Sequence, residues 1–201
     1  GIEMIVFGIT GGSGSGKTSV SKMLEKLGVH IIDTDVIAHE IVEPNSDCLN
    51  ELIDYFGDSI LNDDKTLNRK KLASIAFSDK QKTEALSNIT HKYIKAEVVK
   101  DINTTDAELV GIDGAVIIGS NVEPLCEFIV SVIADKQSRI TRIKTRDNIT
   151  DEQAIQRINA QNDDEFYKEN SMYIIYNNGD IAQLESDVVG LFNKIKGNSF
   201  E

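Results

Sequence analysis

Eight residues near the start of the chain, Gly11-Gly12-Ser13-Gly14-Ser15-Gly16-Lys17-Thr18, combine a freely turning backbone with a lysine and a hydroxyl. Their spacing is G-x-x-x-x-G-K-[ST]. Glycines accept positive φ, so consecutive N–H groups can turn inward as a nest for an anion, with no Cβ in the way. A helix beginning near Gly16 aims the positive end of its dipole at the same point. In that setting Lys17 neutralises β- and γ-phosphates, and the Thr18 hydroxyl ligates Mg²⁺. The competing reading is a glycine-rich turn with no ligand. Against it, the motif demands a strand before it and a helix after it, and the hydropathy pattern supplies both. Binding of a nucleoside triphosphate with Mg²⁺ follows.

A loop of this kind does not by itself separate kinases from GTPases or motor ATPases. The chain carries neither an [NT]KxD guanine-reading motif nor the signature peptide of transporter ATPases. A small kinase remains, and it needs a base for the acceptor, an acceptor lobe and mobile arginines. Asp33 and Asp35 in "IIDTDVIA" lie at the carboxyl end of the second strand, where α/β sheets place ligands. An i, i+2 spacing puts both on one face of an extended backbone, one to accept a hydroxyl proton and one to orient substrate or a metal-bound water. The competing reading makes Asp35 the N-cap of a helix beginning "VIAHEI". Asp113 closes the apolar run "LVGID" and is either a carboxylate for a magnesium-bound water or a strand-end turn. Arg142 and Arg146 are four apart on one helix face; a plain solvated face is the competing reading for both, and the more so for Arg139 on that helix. The sequence "TDEQ" (Thr150 to Gln153) fits a capping box that starts a new helix carrying Arg157. Two arginine-bearing helices joined at such a break make a lid over phosphate oxygens.

These residues require a scaffold, and the pattern supplies an α/β one. "MIVFGIT" (Met4 to Thr10) reads as a buried parallel strand. Val20, Met23, Leu24 and Leu27 give one face of a helix that Gly28 stops, and "VHIID" (Val29 to Asp33) is a second strand. Strand, loop, helix and strand within thirty residues form a βαβ unit. From Asp35 to about Asn103 the stripes are helical, as in Leu49, Leu52, Ile53 and Phe56, then Leu86, Ile89, Tyr93 and Ala96. Strands return at "AELVGID" (Ala107 to Asp113), "EFIVSVIA" (Glu127 to Ala134) and "MYIIY" (Met172 to Tyr176). A stripe of Ile181, Leu184, Val188, Leu191 and Ile195 makes a closing helix. The expected domain plan is a core of residues 1–34 and 107–201, an inserted helical acceptor-binding lobe of about 35–106 and a lid of about 142–162.

Composition sets outer limits. With 201 residues, 40% apolar and 27% charged, the chain is an ordinary globular length of sequence. A formal charge of −12 argues against a nucleic-acid or anionic-membrane surface. It also makes clustered arginines and lysines informative. No apolar run approaches a membrane span, and no signal-peptide pattern precedes "EMIVFGIT". Cys48 and Cys126 lack a CxxC or metal-ligand spacing and read as buried free thiols of a reducing compartment, so the cytoplasm is expected. Composition leaves the oligomeric state open.

Five blocks in order, "GITGGSGSGKTSV", "IIDTDVIAHEIVEP", "YFGDSILNDDKTLNRKKLASIAF", "RDNITDEQAIQRINAQ" and "YNNG", make the chain resemble the dephospho-CoA kinase family over nearly its whole length. The second and third blocks are the specific ones. The resemblance implies a P-loop NTPase fold of three layers about a parallel sheet. It also implies ATP-dependent phosphorylation of the ribose 3′-hydroxyl of dephospho-CoA, the last step of coenzyme A synthesis. By position, Asp35 resembles the family's catalytic base, acting with Lys17 and Arg142. Gly11 to Thr18, Arg142, Arg146 and Asn177 fall on the nucleotide side. Asp33, Phe56, Gly57, Arg69, His91 and the lid residue Arg157 form the acceptor set, although His91 also reads as a packed histidine. The chain departs from the pattern at Ala115 to Gly119 ("AVIIG" in place of a "PLLFE"-like segment), at His91-Lys92 (His-Pro), at Ser171-Met172 (Ala-Asp) and at His39 (arginine). All but Ser171-Met172 fall in or beside the expected acceptor site. Another nucleoside, nucleotide or small alcohol as acceptor, and a non-catalytic nucleotide-binding module, are the alternatives.

Overall fold

A computed structural model describes residues 3–198, and it divides into two compact units, one made of residues up to Ile32 and from Thr105 onward, the other of Asp33–Thr104. The first unit is built on short, almost wholly apolar strands. These are β1 (Ile5–Gly11), β2 (His30–Asp33), β3 (Leu109–Asp113), β4 (Ile129–Ile133) and β5 (Tyr173–Tyr176), in the spatial order β2-β3-β1-β4-β5. Every residue of β3 and β4 is buried, as expected of parallel strands covered on both faces. Along the β1–β3 pairing Ile5 lies opposite Leu109 and Ile9 opposite Asp113; along β1–β4, Gly11 lies opposite Val132. Because these strands are parallel, the loop after β1 and the carboxylate ending β3 emerge at the same edge of the sheet.

Helix α1 (Lys17–Lys26) packs Val20 and Leu24 onto Phe7 and Ile9, all with essentially no exposure. Helix α9 (Ile181–Asn198) adds Leu184, Val188, Leu191 and Ile195 to the same core. Truncating a side chain such as Leu24 to alanine removes about 2–5 kcal/mol, from lost burial and the cavity left behind. Three stripe positions differ from expectation: Leu27 and Ile181 are exposed at helix ends, where no neighbour covers them, and Ala96 is exposed within the long fifth helix, in the second unit. Helix α6 (Lys136–Asp147) ends at Asn148, whose φ of 50° is left-handed, and α7 (Asp151–Asn159) starts from a complete Thr150–Gln153 capping box. The expected break between the two arginine-bearing helices is therefore present. The two helices share a small core of Ile140, Ile143, Ala154 and Ile158, and α8 (Asp164–Glu169) follows.

The second unit contains α2 (Thr34–Glu40), α3 (Asp47–Phe56), α4 (Arg69–Ala76) and the long α5 (Lys80–Thr104). Ser46 caps α3 through the Leu49 N–H, and Asn68 caps α4 through the Lys71 N–H. Val42, Cys48, Leu52, Ile60 and Leu72 form its core, against which Phe56, Leu86, Ile89 and Tyr93 pack. Its extended pairing among the described residues is one isolated antiparallel bridge, Leu61 to Leu67. Among the described residues no helix is long and apolar enough to cross a membrane.

Candidate active site

The loop after β1 turns into α1 through Gly16, the N-cap residue, at φ 86° and ψ 21°. An L side chain is strained there, and a Cβ would also strike the Asn177 side-chain amide, so glycine is required twice over. Helix geometry leaves the first amides of α1 without internal partners. The N–H groups of Ser19 and Val20 reach the Gly16 carbonyl, whereas those of Gly14, Gly16, Lys17 and Thr18 have no acceptor among the described residues. The Ser15 N–H closes a turn onto the Gly12 carbonyl at 3.1 Å. Ser15 Oγ is buried with no hydrogen-bond partner among the described residues, an arrangement that costs on the order of 1–3 kcal/mol. A surplus of unpaired donors around a concave main chain is what an anion completes.

Lys17 Nζ pairs with one oxygen of Asp113, and Ser21 Oγ donates to the other at 2.8 Å. Asp113 is 4% exposed, so both of its oxygens are engaged within the protein. Ser21 was missed from sequence; its signal was the i, i+4 spacing from Lys17, which places both on one face of α1. Thr18 is exposed at the start of the helix, its hydroxyl beside the unpaired amides in sequence.

Side chains of α6, of the turn after α7 and of the segment after β5 reach the loop main chain. Arg142 Nη1 donates to the Gly14 carbonyl at 3.0 Å and Nη2 to the Asn177 carbonyl at 2.9 Å. Asn177, itself buried, donates from Nδ2 to the Ser15 carbonyl at 3.0 Å. Arg139 is 7% exposed, against the solvated-face reading: its Nε donates to the Ser13 carbonyl at 2.8 Å. The one-face reading took α6 as presenting Arg142 and Arg146 alike, but they part company. Arg146 makes a bidentate pair with Asp147 at 3.0 Å for each contact, and Arg157 of α7 joins the same carboxylate. Hydrogen bonds from Arg146 and then Arg157 hold the Asp147 carboxyl down at about 2.

In the second unit, the aspartates differ from the extended pair read from sequence. Helix α2 begins at Thr34, and Asp33 is its N-cap, accepting from the N–H groups of Asp35 (2.9 Å) and Val36 (3.2 Å). Asp35 is therefore neither the cap nor a same-face partner; it is an exposed residue of the first helical turn. Phe56 is half-buried, edge-on to Tyr55 at 4.7 Å, and Gly57 follows as the C-cap of α3. Arg69 Nη2 lies 2.9 Å from His39 Nδ1. Arg69 and His91 line a cavity of about 290 Å³ whose walls include Leu52, Leu72 and Phe77. Phe56 and Gly57 are not among its lining residues.

The cysteines take no part in this chemistry. Cys48 is buried as expected and Cys126 only partly so. Burial raises the Cys48 thiol to about 11 and the Cys126 thiol to about 12, which keeps both protonated at neutral pH. The Ser171 departure is accommodated internally, since its Oγ meets Ser131 Oγ at 2.6 Å.

A five-stranded sheet in this order, with an anion nest after its central strand and a lysine and carboxylate beside it, defines a P-loop nucleotide-binding protein. A sequence model of the dephospho-CoA kinase family matches residues 5–183. A dephospho-CoA kinase of Lactobacillus johnsonii is 34% identical over 191 residues, covering 94% of this chain and 96% of that one. The solved dephospho-CoA kinase of Campylobacter jejuni superposes with a TM-score of 0.68 at 26% identity, over 96% of this chain and 98% of that chain. A solved protein of Thermus thermophilus shares the fold with a TM-score of 0.82 at 24% identity, over the same shares of the two chains. The chain belongs to the dephospho-CoA kinase family.

Proposed function

We propose that this chain transfers the γ-phosphoryl group of ATP to the ribose 3′-hydroxyl of dephospho-CoA, yielding coenzyme A and ADP. The observation that carries the reading is the set of unpaired amides at Gly14, Gly16, Lys17 and Thr18, with the Lys17 side chain beside them, in a chain matched to this family over residues 5–183. Those amides take the β- and γ-phosphate oxygens, and Gly11, Gly12, Ser13 and Ser15 shape the loop around them. Lys17 exchanges Asp113 for the phosphates. Asp35 accepts the proton of the 3′-hydroxyl as that oxygen bonds to the γ-phosphorus; the bond from that phosphorus to the β–γ bridging oxygen breaks, and ADP leaves with the pair of electrons. Arg142, Arg146 and Asn177 serve the nucleotide. Asp33 holds the start of α2 that carries Asp35, and Phe56, Gly57, Arg69, His91 and Arg157 serve the acceptor.

The donor set fits Mg²⁺. It is all oxygen, from the Thr18 hydroxyl and the Asp113 carboxylate, and among the described residues no cluster of three acidic, histidine or cysteine side chains could hold a metal alone. The Thr18 hydroxyl and the Asp113 carboxylate would hold Mg²⁺ together with the phosphates, and the bound ion would neutralise charge on the transferring group. Reaction in the cytoplasm accords with Cys48 and Cys126 both being free thiols.

An ADP-release assay with and without dephospho-CoA, with the product's phosphate placed by mass and NMR, tests the proposal. ADP release that requires dephospho-CoA and a new 3′-phosphate is the expected result. Turnover with another alcohol in its place would move the acceptor assignment, for which the Ala115 to Gly119 segment is the motive. Tight ATP binding with no product on any acceptor would leave a binding module.

A further inference from the structure

The apex of the phosphate loop is tied by two side chains that phosphoryl transfer does not by itself call for. Gln161 follows the end of α7, its main-chain N–H fixed on the Ile158 carbonyl at 3.1 Å. Its Oε1 accepts the Ser13 N–H at 2.8 Å and Arg139 Nη2 at 3.1 Å, while its Nε2 donates to Ser13 Oγ at 3.0 Å. Arg139 Nε takes the Ser13 carbonyl. The N–H, carbonyl and hydroxyl of a single loop residue are thus all engaged by Gln161 and Arg139. A Cβ on residue 12 would strike the Arg139 guanidinium, so Gly12 is the residue that lets this clamp close.

Two consequences follow for the nest. The Ser13 amide is withdrawn from it, which leaves Gly14, Gly16, Lys17 and Thr18 as the free donors. The Ser13 oxygen is already an acceptor, so its remaining polar hydrogen is free to donate to a phosphate oxygen. A charged guanidinium taken out of water for this task is costly unless its donors are satisfied, and here they meet Ser13 and Gln161. We propose that Gln161, braced by Arg139, is a positioning residue for the phosphate loop, fixing the main chain at Ser13 and presenting the Ser13 hydroxyl to the bound triphosphate. This rests on the reading that the loop holds ATP.

The test is calorimetric titration of ATP into full-length wild-type protein and the variants Gln161→Leu, Gln161→Glu and Ser13→Ala, with kinetics for both substrates. Gln161→Leu is expected to weaken ATP about tenfold while changing the KM for dephospho-CoA by less than about twofold. Gln161→Glu keeps the acceptor for the Ser13 N–H and for Arg139 but loses the donor, so it should fall between wild type and Gln161→Leu, near Ser13→Ala. Combined with Ser13→Ala, Gln161→Leu should cost less than it does alone, since part of the same contact is already gone. Unchanged ATP affinity in Gln161→Leu, or equal loss of affinity for both substrates, overturns the proposal. Should Gln161→Leu fail to fold, wild-type ATP affinity in Gln161→Glu overturns it. Wild-type protein that binds no ATP overturns the nucleotide reading and this inference with it, whereas wild-type binding with indifferent variants overturns this inference alone.

Discussion

The phosphate loop and the helical unit of Asp33–Thr104 are organised in different ways. The loop is held by side chains from more than a hundred residues away, through Arg139, Arg142, Gln161 and Asn177, each bonded to its main chain. In the helical unit the candidate residues are tied locally or lie at the surface: Asp33 caps its own helix, Arg69 meets His39, and Asp35 and His91 are exposed. A triphosphate tail is the same in every turnover, and rigid amides stabilise it without reorganising. On the proposed function, a bulky acceptor would be taken by side chains that still have rotamers to lose. On this comparison, changes around the loop should alter nucleotide affinity and rate together, and changes in the helical unit should alter one or the other.

The largest expected effect is Lys17→Ala, with turnover down by about 10²–10³ and weaker ATP binding, because the lysine serves both bound and transferring phosphate. Steady-state kinetics with nucleotide titration measures both; loss of rate alone would separate Lys17 from binding. Asp35→Asn should lower turnover by about 10² or more while ATP affinity stays near wild type. Near-normal turnover in that variant would remove Asp35 from its role. Arg69→Ala should raise the KM for dephospho-CoA by about tenfold, the worth of one charge-assisted contact, with ATP affinity unchanged. A matching loss of ATP affinity would erase the contrast between the two regions.

The smallest effect concerns pH. The Asp147 carboxyl is held at about 2 by Arg146 and Arg157, against about 3.9 for an unperturbed aspartate. A depressed carboxyl contributes stability that is fully present above its unfolded value and is lost as pH falls through its folded one. The break between α6 and α7 should therefore be indifferent to pH above about 4 and loosen only between about 4 and 2. Carboxyl-carbon NMR of the folded protein checks this; an Asp147 titration centred near 4 would show that the arginines do not hold it.

Much of the nucleotide side was legible because its signals are local. A glycine run ending in Lys17-Thr18, fully apolar strands and the Thr150–Gln153 capping box each declare themselves within a few residues. The start of α2 was misread by little, yet with consequence: the helix begins at Thr34, so the aspartate that caps it is Asp33, and the extended i, i+2 pairing disappears. For Arg139 a solvated face competed strongly because a charge on a polar helix usually meets water, and only the approach of α6 to Ser13, 126 residues earlier, gives it a buried partner. Gln161 closed a block that resembles the family, but an amide side chain announces no chemistry until the Ser13 main chain is placed against it.

The most direct test of the account is a crystal structure with a non-hydrolysable ATP analogue and magnesium. The expected result is a triphosphate within hydrogen-bond distance of the Gly14, Gly16, Lys17 and Thr18 amides, with Lys17 moved from Asp113 to the phosphates and the loop main chain displaced by less than about 1 Å. A bound analogue whose phosphates lie elsewhere, with those amides still unpaired and Lys17 still on Asp113, would contradict it.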